Sequence, residues 1–308
     1  MAKESVFGNC AICGKHKQLA FGHVPPQSAF NECPAVGIAM WELINRDPDH
    51  YFEERRRISQ RGVGDYTLCK QCDNDTGSWY GEAFAKWAHQ GMEILDRVQG
   101  EATFFYPFRI YPLRVIKQIV VMFFSIRDWR FAYSHPDVVQ FVLNRNERYL
   151  NPDIHIYAFL NISGCSRYIE GASRMVMNPA EINRDSIMEM NRTASAAIAK
   201  GRALSEIACR PLGYVMSFDP TPPDDRLSDI SHFAEYSYSD WIPLYVKLSS
   251  LPLGTYLPLD YRDHDQVERD AEKNRRDEGD NDAADEDKYT PISEHELPPS
   301  PYVMWRDK

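Results

Sequence analysis

Two Cys-x-x-Cys pairs constrain the fold of this chain more than any other feature of its sequence. Cys10 and Cys13 form the first pair, and Cys69 and Cys72 form the second pair after a long insertion. Two residues between cysteines let both sulfurs reach one ion, and four thiolates make a closed tetrahedral zinc site. We therefore predict one structural zinc ion at these four residues.

The chain is long enough for one large or two ordinary domains, because its 308 residues are 43% hydrophobic. No apolar run approaches the roughly 20 residues of a membrane helix, and the first residues lack the apolar core of a secretory signal. The paired cysteines are better explained by metal thiolates in a reducing compartment than by disulfides. We expect a cytoplasmic protein without a membrane partner.

Much of the net charge of −10 lies in an acidic stretch between Arg262 and Lys288. The remainder of the chain is nearly neutral, which permits local basic patches but provides no strong long-range attraction to nucleic acid. The acidic stretch contains too few apolar residues to offset the entropy of ordering it. We therefore predict that it is disordered.

Changes in residue pattern along the chain predict three regions in an α+β fold. Residues 1–100 carry the cysteine pairs, residues 101–262 form an α+β domain of unknown role, and residues 263–308 form the acidic tail. In the second region, apolar spacing predicts a helix from Leu113 to Ile126 and a second helix capped by Ser134. Strands are predicted in the segments IHIYAFLNI, SRYIEGASRMVM, EIACRPLGYVMSF and IPLYVKLSS. The end of the tail has two interpretations, a docking segment and a loose tail.

A motif between the cysteine pairs, together with the residues that follow the second pair, provides the functional signal. The motif is Phe21-Gly22-His23-Val24-Pro25-Pro26, and Cys69-Lys70-Gln71-Cys72 is followed by Asp73-Asn74-Asp75. In this order, over about residues 8–90, the chain resembles the HNH endonucleases of the ββα-metal-finger group, in their zinc-stabilised branch. The resemblance implies a ββα finger at the N-terminus and a nuclease that hydrolyses phosphodiester bonds, with DNA as its partner.

The resemblance also implies roles for individual residues. His23 would end the first strand of the finger and act as general base on water. A divalent ion, Mg²⁺ or Mn²⁺, would stabilise the charge on the phosphate and on the leaving oxygen. In the family, this ion is held by an acid just before the histidine and by Asn or His at the start of the helix after the second cysteine pair. A role in bacterial or phage genome conflict, and hence in antiviral defence, follows from the resemblance alone.

The sequence departs from the family pattern at three positions. Gly22 stands where the family has the acid, Asp73 stands where it has Asn, and Gly64 lies near the middle Asn that orients the histidine. One interpretation is that the acid has migrated to Asp73, with Asn74 or Asp75 beside it at the candidate divalent site. A second interpretation is decay of the site. Asp73 and Asn74 also fit simple capping of the helix that follows.

Four arginines in the insertion between the cysteine pairs are candidates for contacts with the phosphates of nucleic acid. They are Arg55, Arg56, Arg57 and Arg61. The other interpretation is a solvated face whose charges pair among themselves.

Two functions from different classes remain open at this point. The first is an HNH-like nuclease with His23 as its base. The second is a catalytically degenerate zinc module that binds nucleic acid or a protein partner, in which His23 has only a structural role. Gly22 and Gly64 favour the second function, and His23 favours the first. Oligomerisation is compatible with both.

Overall fold

The computed structural model describes residues 5–32, 35–37, 57–59, 62–127, 129–163, 165–173, 203–253, 269 and 303–305. The predicted α+β class is confirmed, because helices and mixed sheets are both built from these residues. The acidic stretch lies outside the described residues except for Arg269, and so do Arg55, Arg56 and Arg61.

The N-terminal part consists of a three-stranded antiparallel sheet followed by a long helical segment. The strands are β1 (Phe7–Asn9), β2 (His16–His23) and β5 (Gly64–Cys69), in the order β1-β2-β5. The helical segment comprises α1 (Lys70–Thr76), a π-helical turn (Gly77–Gly81) and α2 (Glu82–Leu95). Two short strands of the insertion, β3 (Ala35–Gly37) and β4 (Arg57–Ser59), pair with each other.

The remaining elements form a second, larger sheet with helices on it. In chain order they are β6 (Thr103–Ile110), α3 (Pro112–Ile126), α4 (Arg130–Ser134), α5 (Pro136–Leu143), β7 (His155–Asn161), β8 (Cys165–Ser173), β9 (Ala203–Cys209), β10 (Leu212–Ser217), β11 (Ser228–Asp229), β12 (Ile242–Leu251) and β13 (Val303–Trp305). The strand order is β4-β3-β13-β8-β9-β10-β7-β12-β6, with β11 paired to β7. Strand β13, near the end of the chain, pairs with both β3 and β8.

The helix predicted from Leu113 to Ile126 is confirmed as α3, which starts one residue earlier at Pro112. The predicted cap of the next helix is wrong, because α5 begins after His135. The hydroxyl of Ser134 instead donates to the carbonyl oxygen of Arg130, at 3.3 Å.

The segment EIACRPLGYVMSF forms two strands, β9 and β10, rather than one. Cys209 and Leu212 face each other across a tight turn made by Arg210 and Pro211. Proline has no backbone N–H for a strand ladder, so a turn is the place where the chain accommodates it.

One hydrophobic core joins the cysteine-bearing part to the larger sheet. Helix α3 lies at its centre, with nearly all of its side chains buried. Trp87 of α2 is also fully buried; its indole N–H donates to the hydroxyl of Tyr214 on β10, at 2.8 Å. Its ring lies 4.2 Å from that of Phe108 on β6. These contacts fix the helical segment after the second cysteine pair against the sheet.

Candidate metal centre and adjoining cleft

The two cysteine pairs converge on one point of the N-terminal sheet. Cys10 and Cys13 lie in the turn between β1 and β2, Cys69 ends β5, and Cys72 lies in the first turn of α1. Their sulfur atoms all lie within 4.8 Å of one another. A tetrahedral zinc ion with Zn–S bonds of about 2.3 Å separates its sulfurs by roughly 3.8 Å. The four thiols therefore fit a metal ion such as zinc, as the sequence predicted.

Hydrogen bonds at this cluster favour a negatively charged sulfur. The backbone N–H of Cys69 donates to the sulfur of Cys10, at 3.3 Å. A hydrogen bond from the Cys72 thiol, followed by those from backbone amides, lowers the pKa of Cys10 to about 4. The same contact and burial raise the pKa of Cys72. Of these sulfurs, that of Cys10 is therefore favoured as a thiolate, and a thiolate is the form that binds metal.

Strand pairing places His23 at the opposite end of β5 from Cys69. It is the last residue of β2 and lies opposite Gly64 on β5. The ring of Phe21 meets its imidazole edge-on, with ring centres 5.2 Å apart. Both backbone polar groups of the following residue, Val24, are hydrogen-bonded. Its N–H donates to the carbonyl oxygen of Val63, and its carbonyl oxygen accepts from the hydroxyl of Tyr168. The half-buried imidazole thus stands at the end of a strand whose continuation is fixed.

Asp73 lies near His23 and beside Gly22. A β-carbon added at Gly22 would lie 3.4 Å from the carboxylate oxygen Oδ1 of Asp73. Burial raises the pKa of Asp73, while the neighbouring charge of His23 lowers it. The carboxylate of Asp73 therefore borders the space that an acid at position 22 would enter.

Neither Asp73 nor Asn74 caps the helix that follows the second cysteine pair. Helix α1 begins after Cys69, which makes no side-chain capping bond, so Asp73 and Asn74 lie inside the helix. Asn74 is exposed and is not among the residues that line the cleft at His23. The structure thus brings Asp73 and His23 together and places Asn74 on a different side of α1.

The cleft that contains His23 and Asp73 has a volume of about 480 Å³. One wall comes from β2 and the segment after it, a second from the π-helical turn, and a third from α3. At both ends of that turn, a β-carbon added at Gly77 or Gly81 would meet nothing within 4 Å. Among the described residues that line the cleft, the acids are Asp73 and Glu82, and none is Lys or Arg.

Gln118 is a cleft residue that the sequence reasoning missed. It lies on α3 and is only 5% exposed. Within the described part of the chain, its side-chain oxygen Oε1 has no hydrogen-bond partner. A buried amide oxygen without a partner is costly, which makes it a group that a ligand in the cleft could satisfy. The only sequence signal was a polar residue within an apolar helix.

Asn31 is a second residue that the sequence reasoning missed. Its side chain is fully buried and clamps the segment after His23 to Val63, the residue before β5. Its Nδ2 donates to the carbonyls of Pro25, at 2.6 Å, and Val63, at 2.7 Å. Its Oδ1 accepts from the N–H of Val63, at 2.6 Å. Three hydrogen bonds therefore hold the loop on which the position of His23 depends.

Steric hindrance excludes any residue but glycine at position 64. A β-carbon there would lie 2.2 Å from the carbonyl oxygen of Gly22, so no side chain fits. An Asn, as in the HNH pattern that the sequence resembles, could therefore not stand at this position in the present backbone. Asn31 instead ties the loop after His23 to Val63, the residue before Gly64.

The arginines of the insertion contribute no described side chain to the cleft. Arg57 is the first residue of β4, of which the structure describes the backbone pairing. Their predicted contacts with phosphates stay a prediction.

Comparison of the chain with family models, with curated proteins and with solved structures gave no match. Within the described ranges, the helices are too short or too polar to cross a membrane.

Proposed function

We propose that this protein hydrolyses phosphodiester bonds of nucleic acid, with DNA as its substrate, in a reaction that depends on a divalent ion. His23 is the general base, and Asp73 is the carboxylate ligand of the ion, either Mg²⁺ or Mn²⁺. Zinc at the four cysteines holds a ββα finger in shape around this site. The observation that carries the proposal is the position of Asp73 beside Gly22, in the same cleft as His23.

The order of elements supports the resemblance to a ββα finger. Strand β2 ends at His23, β5 pairs antiparallel with it, and α1 begins directly after β5. In such an arrangement the histidine at the end of the first strand and the first turn of the helix face the same space. A base for water and a carboxylate for an ion are both required there.

The charge of the cleft supports a role for a cation. A phosphate would meet the acids Asp73 and Glu82 and, among the described lining residues, no Lys or Arg. Such a cleft repels an anion unless a positive ion is bound first. When bound, the ion would stabilise the negative charge on the phosphate and on the leaving oxygen. An imidazole nitrogen of His23 accepts the proton of the attacking water.

The first experiment is a cleavage assay with purified protein on duplex DNA, single-stranded DNA and RNA in Mg²⁺ or Mn²⁺. We expect His23→Ala and Asp73→Asn to lower cleavage by orders of magnitude while the zinc content stays at one ion per chain. Asp75→Asn is the matched control, because Asp75 lies on the same helix but does not line the cleft. Equal activity of the two Asp→Asn variants would contradict the role given to Asp73.

A second experiment moves the acid back to the family position. Gly22→Glu in the Asp73→Asn background should restore part of the lost cleavage, because the two positions border the same space. Gly22→Glu alone should lower activity, since two carboxylates would then compete for that space. If the double variant is as inactive as Asp73→Asn alone, the two positions are not equivalent.

The second candidate function is a catalytically degenerate zinc module that binds nucleic acid or a protein partner. The observation that favours it is that only one of the two predicted divalent-ion ligands, Asp73, lies in the cleft, while Asn74 is exposed. This function takes the place of the first if the wild-type protein cuts none of the three substrates with either ion.

A further inference from the structure

A groove adjoins the cleft that contains His23. Its volume is about 500 Å³. Ser28, Glu82 and Ala85 line both the cleft and the groove, so the two are continuous over the start of α2. A chain-like ligand that has one unit in the cleft would extend its neighbouring units into this groove.

The charge of the groove is opposite to that of the cleft. Lys86, His89 and Arg109 line it, and Glu82 at the border is its only acid among the described residues. Glu82 and Lys86 form an ion pair of 2.7 Å on the surface of α2. Exposed pairs of this type contribute little stability, so Lys86 can exchange Glu82 for a phosphate at small cost.

Arg109 is an exposed residue on a fixed piece of backbone. The side-chain amide of Gln90 accepts from the N–H of Arg109, at 2.8 Å, and donates to its carbonyl, at 2.9 Å. These two hydrogen bonds hold the backbone of Arg109, on the edge strand β6, beside α2. The exposed guanidinium extends from this fixed backbone and can contact a phosphate in the groove.

Trp241 adds an aromatic surface to the same groove. Its ring packs against that of Tyr111, with centres 4.7 Å apart, and Lys86 lies 5.5 Å from its centre. The tryptophan is half-buried, so part of its ring remains accessible. Aromatic rings beside basic side chains are the combination that binds unpaired nucleotides, because each base has a face on which to stack.

We infer that this groove binds the single-stranded nucleotides next to the bond that is cut. Lys86 and Arg109 contact their phosphates, and Trp241 stacks on a base. The inference rests on the proposed function and names its substrate class: a strand that is single, or opened, beside the scissile bond. Duplex DNA is not the expected occupant, because its paired and stacked bases leave no face for Trp241.

The test is a binding measurement that does not depend on cleavage. Fluorescence anisotropy of a labelled oligodeoxythymidylate of about 12 nucleotides is recorded in Mg²⁺ with full-length protein that carries His23→Ala. Trp241→Ala should weaken binding roughly tenfold or more. Trp241→Phe, which keeps a ring, should retain most of the affinity. Arg109→Ala should lower the slope of log Kd against log salt by about 0.7.

Matched controls come from the exposed face of β12. Tyr245→Ala and Lys247→Ala remove an exposed ring and an exposed cation outside the groove, and they should leave binding unchanged. Thermal melting of each variant detects any loss of folding. Groove variants that bind like these controls, or duplex DNA that binds more tightly than the single strand, would overturn the inference. If the groove variants weaken binding but the wild-type protein cuts nothing, the groove stands and the catalytic proposal fails.

Discussion

Replacing Asn31 by Ala tests whether the loop after His23 is held by one buried side chain. The change removes three hydrogen bonds, each between 2.6 and 2.7 Å long. At about 1 kcal/mol each, with a further penalty for the groups of Pro25 and Val63 left unpaired, the cost is about 3–5 kcal/mol. That is a large part of the 5–15 kcal/mol typical of a folded domain.

The assay is urea denaturation, read by tryptophan fluorescence, together with cleavage or oligonucleotide binding by the protein that remains folded. Asn151→Ala is the matched control. Asn151 also makes two side-chain hydrogen bonds, to Asp137 and to the N–H of Asp153, but it lies near the surface. We expect Asn151→Ala to cost about 1 kcal/mol and to leave function unchanged. A cost for Asn31→Ala no greater than that of the control would refute the clamp.

The remaining predictions concern the cysteine cluster, the cleft and a buried lysine. Cys69→Ser should lower zinc, measured by elemental analysis, below one ion per chain, whereas Cys209→Ser, a buried cysteine outside the cluster, should leave it unchanged. Gln118→Met should raise the unfolding free energy by about 1 kcal/mol in urea denaturation, by removing an unpaired buried oxygen, and should lower cleavage. Burial lowers the pKa of Lys117 to about 7 from 10.5, so the unfolded state binds more protons between these values. Denaturation at several pH values should therefore show stability rising with pH in this window relative to Lys117→Met, by at most about 1.4 kcal/mol per pH unit, and a flat difference would contradict it.

The parts of the site that could be predicted from sequence are those in which the signal is local. Two residues between cysteines imply a shared ion whatever lies between the pairs, and the cluster is confirmed by the short distances between its sulfurs. The helix from Leu113 to Ile126 was predictable because its apolar spacing repeats over several turns. The prediction of one strand through Arg210 and Pro211 was wrong because apolar residues lie on both sides of a turn of only two residues.

The residues that escaped prediction act through contacts that are distant in sequence. Asn31 bonds Val63, which follows it by 32 residues, and no local pattern marks either residue. Gln118 becomes a cleft residue only because α3 packs beside the π-helical turn. The groove joins Trp241 to α2, so its composition was not visible in any one segment.

The adjacency of Cys72 and Asp73 ties the two metal sites of the proposal to one helix. The cysteine cluster fixes the start of α1 against β1 and β5, and Asp73 follows immediately on the side that borders Gly22. An acid at position 22 would be placed by strand pairing alone, whereas an acid on α1 is placed by the cluster. In the proposal, the carboxylate that binds the divalent ion would therefore depend on the zinc site, because both lie on α1. Loss of zinc should abolish binding of the second ion even where β2 and β5 stay paired.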